Sequence, residues 1–84
     1  MTITIQYLAQ LKRLIGRPED RVESSGQSLA ELLTSLGHRC LLDADGRPSR
    51  AYLYFVDDSP ADFDAPLPDG AVVVILAPMS GGIS

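Results

Sequence analysis

Between Thr2 and Tyr7 the chain alternates, with Thr2, Thr4 and Gln6 on one side and Ile3, Ile5 and Tyr7 on the other. A period of two with β-branched residues predicts a strand that buries one face. Leu8, Leu11, Leu14 and Ile15 follow at helical spacing, which predicts a short helix stopped at Gly16, with Pro18 just beyond. Residues 21–25 offer a weak second strand whose one apolar side chain is Val22. The clearest helix starts at Ser28. Ser28 and Glu31 have the spacing of a capping box, in which each side chain satisfies the other's free backbone N–H. Leu29, Leu32, Leu33 and Leu36 then line one face, and Gly37 supplies the stop. Burying four leucines is worth roughly 6–12 kcal/mol before conformational entropy is charged, so the stripe needs a sheet to cover it.

Residues 38–49 read as a loop, with Asp45-Gly46 as a turn and Pro48 as a breaker. Residues 51–56 form a strand with Tyr52, Tyr54 and Val56 on one side and Leu53 and Phe55 on the other. Asp57, Asp58, Ser59 and Pro60 make a turn, and a short extended piece spans residues 62–65. After Pro66, Pro68 and Asp69-Gly70, residues 71–76 are an unbroken aliphatic run. Such a run predicts a central strand buried on both faces. The economical assembly is an α+β layer structure: one mixed sheet of four to five strands with a helix across one face. The last strand lies mid-sheet, with the first as its parallel neighbour. This is one domain over residues 1–78, and residues 79–84 have too little apolar content to pack and form a flexible tail.

Composition narrows the functional classes. The chain has 84 residues, 45% hydrophobic and 21% charged, which suits one globular domain. Its net charge of −4, with a single lysine at position 12, argues against a nucleic-acid partner. No stretch approaches the ~20 apolar residues of a membrane span, and no secretory leader is apparent. One cysteine, Cys40, excludes an internal disulfide and a cysteine-based zinc site. The expectation is a cytoplasmic, metal-free protein that binds no cofactor of its own. A chain this short hardly builds a deep pocket with several convergent catalytic groups, so a binding or carrier module is expected before an enzyme.

Gly81-Gly82 follows the last strand closely. Two glycines near a terminus add nothing to stability, but without Cβ atoms an extended pair can thread a narrow channel. The surrounding pattern gives them context. Leu67-Pro68-Asp69-Gly70 forms a turn, residues 72–76 an aliphatic strand, and Pro78-Met79-Ser80-Gly81-Gly82 a proline-led tail. With Ile3-Thr4-Ile5-Gln6-Tyr7-Leu8-Ala9 and Ser28-Leu29-Ala30-Glu31-Leu32-Leu33, this order resembles the MoaD/ThiS family of sulfur carriers over nearly the whole chain.

The resemblance implies a ubiquitin-like (β-grasp) fold and a chain that is a co-substrate rather than a catalyst. A ubiquitin-activating-type adenylating enzyme would spend ATP on the Gly82 carboxylate, and a sulfur donor would then convert it to a thiocarboxylate. The sulfur would pass on, through a sulfurtransferase or acceptor synthase, into cofactor biosynthesis of the molybdopterin or thiamine type, or into another metabolite. Gly81, Ser80, Met79 and Pro78 would be the tail that partners recognise. The pattern departs at one place: Ile83 and Ser84 follow Gly82. An amide at Gly82 is not a substrate for adenylation, so the Gly82–Ile83 bond becomes a processing site, for instance for a JAMM-type metallopeptidase. Two other readings use the same residues. One is a protein modifier conjugated through Gly82, and the other is a non-covalent interaction domain with an inert tail.

The remaining candidates are side chains of the body. Tyr52 and Tyr54, with Leu76, are expected to expose an apolar docking patch on the sheet face away from the helix. Asp57, Asp58, Asp62, Asp64 and Asp69 crowd a stretch with no Lys or Arg, either as a solvated edge or as an acidic rim that steers docking. Cys40 is expected to be an inert, half-buried thiol beside Leu41 and Leu42. His38, just past a helix end, is placed to meet the helix dipole.

Overall fold

The computed structural model describes residues 2–24 and 26–77. Five strands and two helices follow one another as β1 (Thr2–Tyr7), α1 (Gln10–Ile15), β2 (Glu19–Glu23), α2 (Leu29–Leu36), β3 (Leu53–Val56), β4 (Ser59–Pro60) and β5 (Val72–Leu76). A 3-10 turn, Arg39–Leu41, follows α2. The strands form one mixed sheet in the order β2-β1-β5-β3-β4. β5 is central, parallel to β1 and antiparallel to β3, while the outer pairs are antiparallel.

The helix ends form as their residues require. The Ser28 hydroxyl accepts from the Glu31 N–H at 3.2 Å, and the Glu31 carboxylate accepts from the Ser28 N–H at 3.0 Å. Leu29, Leu32 and Leu33 of α2 meet Ile3, Ile5 and Tyr7 of β1 and Val73 and Ile75 of β5 in a single core, with Leu36 partly buried against it. α1 is anchored by Leu11 alone among its fully buried residues. Leu14, expected on the same stripe, is 62% exposed, and Leu8 lies outside the helix and is 43% exposed. The Leu8 N–H instead donates to the Ile75 carbonyl at 3.0 Å, which continues the β1–β5 ladder.

Three other expectations are corrected. The second strand runs over Glu19–Glu23, two residues earlier than residues 21–25, because pairing with β1 holds it in place of apolar content. The short strand is Ser59–Pro60, not residues 62–65. Asp57 and Asp58 turn the chain alone, both at positive φ (50° and 70°), the geometry of a two-residue hairpin turn. Finally, β5 is not buried on both faces: Val73 and Ile75 are fully buried, whereas Val72, Val74 and Leu76 are only half-buried.

Candidate functional site

The Cα register decides which side chains share each sheet face. Directly opposed residues point the same way, so Tyr54 joins Ile75 and Tyr7 on the covered face. Tyr54 is 6% exposed, its hydroxyl donates to the Ser49 carbonyl at 3.0 Å, and its ring meets Phe63 edge-on at 5.1 Å. Burial pushes its phenol up to about 12. Tyr54 is therefore a core residue and not part of a docking patch. Tyr52 is likewise packed against the core.

Leu76 does face the open side, where it opposes Leu53. Phe55 opposes Val74, which pairs in turn with Gln6 of β1. The open face is thus divided. Over β5 and β3 it carries Val72, Val74, Leu76, Phe55 and the 46%-exposed Leu53. Over β1 and β2 it carries Thr2, Thr4, Gln6, Glu19, Arg21 and Glu23. The sequence does hold this signal: strand residues 53 and 55 are apolar on the side opposite Tyr54. Parity alone does not say which side the helix covers, since both carry large apolar residues.

The apolar half of this face leads to the end of β5. Leu76 and Ala77 are the last described residues before the candidate tail. Pro78, Met79, Ser80, Gly81, Gly82 and Ile83, expected to be the recognition, attachment and processing positions, lie outside the described residues.

A polar cluster that the sequence did not announce stands at the same end of the sheet. Asp20 Oδ2 accepts from the Tyr7 hydroxyl at 2.7 Å and lies 3.1 Å from His38 Nε2. Arg17 Nε donates to Asp20 Oδ1 at 2.6 Å. Partial burial of Asp20 raises its carboxyl, but hydrogen bonds from Tyr7, His38 and Arg17 outweigh burial and hold it below the usual carboxylate range. Burial, and then the bond to Asp20, push the Tyr7 phenol well up. The cluster ties the end of β1, the start of β2 and the exit of α2 together. His38, which follows the C-cap of α2, has a carboxylate partner here. The separation of eighteen residues hid that partnership.

Of the other candidates, Cys40 departs from expectation, while all five aspartates are exposed, as a solvated edge requires. Cys40 is exposed. Of the five aspartates, Asp57 binds the Val72 N–H, Asp62 accepts from the Asp64 N–H at 3.1 Å, and Asp64 pairs with Arg47 at 3.1 Å. Three of them therefore do local structural work. Among the described residues, no helix is long and apolar enough to cross a membrane.

The model of the ThiS family matches residues 5–82. No curated protein matches the sequence. The fold is similar to the crystal structure of SAMP1 from Haloferax volcanii, with a TM-score of 0.86 and 17% identity over 98% of this chain and 100% of that one. It is also similar to a putative molybdopterin converting factor subunit 1 from Pyrococcus furiosus, with a TM-score of 0.74 and 21% identity over 94% and 99% of the two chains. A chain of the BexX/CysO complex of Amycolatopsis orientalis matches with a TM-score of 0.65 and 21% identity, over 89% of this chain and 93% of that one. At these identities the likeness defines the fold, which is the β-grasp of ubiquitin-like proteins.

Proposed function

The chain belongs to the ThiS family, and on that premise we propose that it is a sulfur carrier whose attachment point is Gly82. Proteins of this family are small carriers acted on by other enzymes, not catalysts themselves. The observation that carries the specific reading is the extent of the family match, which takes in Gly81 and stops at Gly82.

The chemistry follows from the poor reactivity of a carboxylate. Once the residues after Gly82 are removed, its carboxylate attacks the α-phosphorus of ATP in an adenylating enzyme and releases pyrophosphate. Hydrosulfide from a sulfur donor then attacks the acyl carbon and displaces AMP, which leaves a thiocarboxylate. The thiocarboxylate is a soft nucleophile on a tether, suited to donating sulfur in cofactor or metabolite biosynthesis. The β-grasp body supplies recognition and the tail supplies reach. Leu53, Phe55, Val74 and Leu76 provide an apolar docking face continuous with the start of the tail. In this reading the partners are the adenylating enzyme, a sulfurtransferase or acceptor synthase, and a peptidase of the JAMM type that opens the Gly82–Ile83 bond.

Intact-mass analysis of the protein isolated from its own host tests this. The expected species ends at Gly82 and has one oxygen replaced by sulfur, and Gly82→Ala abolishes it without unfolding the chain. A ladder of larger conjugates through Gly82 would make the chain a modifier. An unprocessed, unmodified chain under all growth conditions would overturn both.

A further inference from the structure

The charges are sorted along the sheet. Residues 1–18 contain Lys12, Arg13 and Arg17 and no acid, whereas residues 57–69 contain five aspartates and no Lys or Arg. Topology puts the three cations at one end of the sheet and Asp57, Asp58 and Asp69 at the other, while Asp62 follows Ala61, whose N–H donates to the Tyr54 carbonyl partway along β3, and Asp64 is paired with Arg47. Tyr7 pairs with Ile75, and Gln6 with Glu19, so the whole 8–18 connection lies where β5 stops and the chain runs on towards Gly82. Asp57 and Asp69 instead flank the start of β5.

At the basic end the two nearby carboxylates are already occupied. Glu19 pairs with Arg21 at 3.2 Å, and Asp20 is held by Arg17. Lys12 and Arg13 are exposed on α1, and among the described residues neither has an ion pair with an acid. They border a shallow depression with Ala9 and Gln10. Leu8 and Leu14, two of the three large apolar residues most open to solvent, belong to the same connection. A helix C-terminus favours cations, but α1 has only six residues, and its dipole gives no reason for Leu8 and Leu14 to be exposed.

We infer that this cationic, apolar-edged surface of α1 is a second docking site, and that its occupant is an acidic surface on the enzyme that takes the tail. The argument is charge complementarity at a fixed place, and it rests on the reading of Gly82 as the activated residue. α1 packs against β1 and β5 and sends Leu11 into the core, so it lies towards the covered side of the sheet. Leu76 points to the open side. The exit of β5 is therefore bracketed by the open face on one side and α1 on the other. An enzyme that grips both fixes the direction in which the tail leaves, which neither surface does alone. The aspartate-rich end of the sheet, being of opposite sign, disfavours the reversed approach to the same acidic surface.

The test uses the adenylating enzyme of the same organism, with the chain ending at Gly82 as substrate and ATP–pyrophosphate exchange as the readout. Lys12→Glu/Arg13→Glu is expected to raise KM for the chain about tenfold or more at unchanged kcat, and to flatten the dependence of kcat/KM on salt. Lys12→Gln/Arg13→Gln should fall between this variant and the parent, and Leu14→Ser should raise KM without altering the salt dependence. Circular dichroism and the unfolding midpoint establish that each variant is folded. Parental KM and salt dependence in the charge-reversed chain would overturn the inference while leaving the carrier reading intact. If the parent chain supports no exchange at all, the carrier reading fails and this inference with it. Salt-sensitive self-association of the parent, lost on charge reversal, would make the aspartate-rich end of a second copy the occupant and would also overturn it.

Discussion

Asp57 and Val72 hold each other twice. The Asp57 N–H donates to the Val72 carbonyl at 3.0 Å, and the Asp57 carboxylate accepts from the Val72 N–H, also at 3.0 Å. The second bond replaces a ladder partner that β3 no longer supplies, because the chain turns at Asp57 and Asp58. It fixes where β5 begins, and with it the register that brings Leu76 opposite Leu53 on the open face.

Replacing Asp57 by alanine removes this acceptor and places an alanine at a φ of 50°. A charged hydrogen bond is lost and a backbone penalty is added, so the variant should be less stable by about 1–3 kcal/mol. Asn retains an acceptor and tolerates positive φ, so Asp57→Asn should recover more than half of the loss. Urea midpoints at constant m-value measure both.

Ala9 offers a gain instead. The Leu11 N–H donates to the Leu8 carbonyl at 3.2 Å, closing a four-residue turn with Ala9 at its first central position. Ala9 lies at φ 54° and ψ −125°, a conformation that favours glycine. Ala9→Gly should therefore stabilise the protein by about 1 kcal/mol, read as a higher thermal midpoint. An unchanged or lower midpoint would show that the turn is not strained.

Asp20 gives the fold an acid limb. Its carboxyl titrates below the 3.8 of an unperturbed aspartate, so the ionised group stabilises the fold above about pH 4. That contribution is lost as pH falls through the lowered value. Asp20→Asn should be less stable than the parent by about 1–2 kcal/mol at neutral pH. It should also show a shallower decline in the urea midpoint below pH 4. Parallel acid limbs in the two proteins would mean that other carboxylates account for the decline.

The sequence showed the parts of the fold whose signals are local. The capping box at Ser28 and Glu31, the leucine stripe of α2, and the alternation of β1 all specify an element without outside help. β2 is different, because four of its five residues are charged and its partner, β1, defines it. The Tyr7–Asp20–His38 cluster was hidden for the same reason, since side chains thirteen and eighteen residues apart meet only after the sheet forms. On β3 the two-residue period sorted the side chains correctly into two faces. At the docking face Tyr54 and Leu53 were equally plausible until α2 covered one side, and the helix took the tyrosine.

Leu53 is the sharpest probe of the open face. It is 46% exposed and opposite Leu76, and among the described residues it is not part of the core cluster. Leu53→Asp gives up the cross-strand pair with Leu76 and should therefore cost about 1 kcal/mol of folding stability, too little to unfold the chain. If the apolar half of the open face meets the adenylating enzyme, the new carboxylate must be desolvated against apolar surface. KM for the chain should then rise about tenfold to thirtyfold, in the range of an interface residue that matters. Arg50→Ala makes the same change in net charge on the exposed Arg50, outside the sheet, and should leave KM unaltered. An equal rise in both variants would make the effect one of overall charge. A rise in neither would move docking off the β3–β5 face altogether.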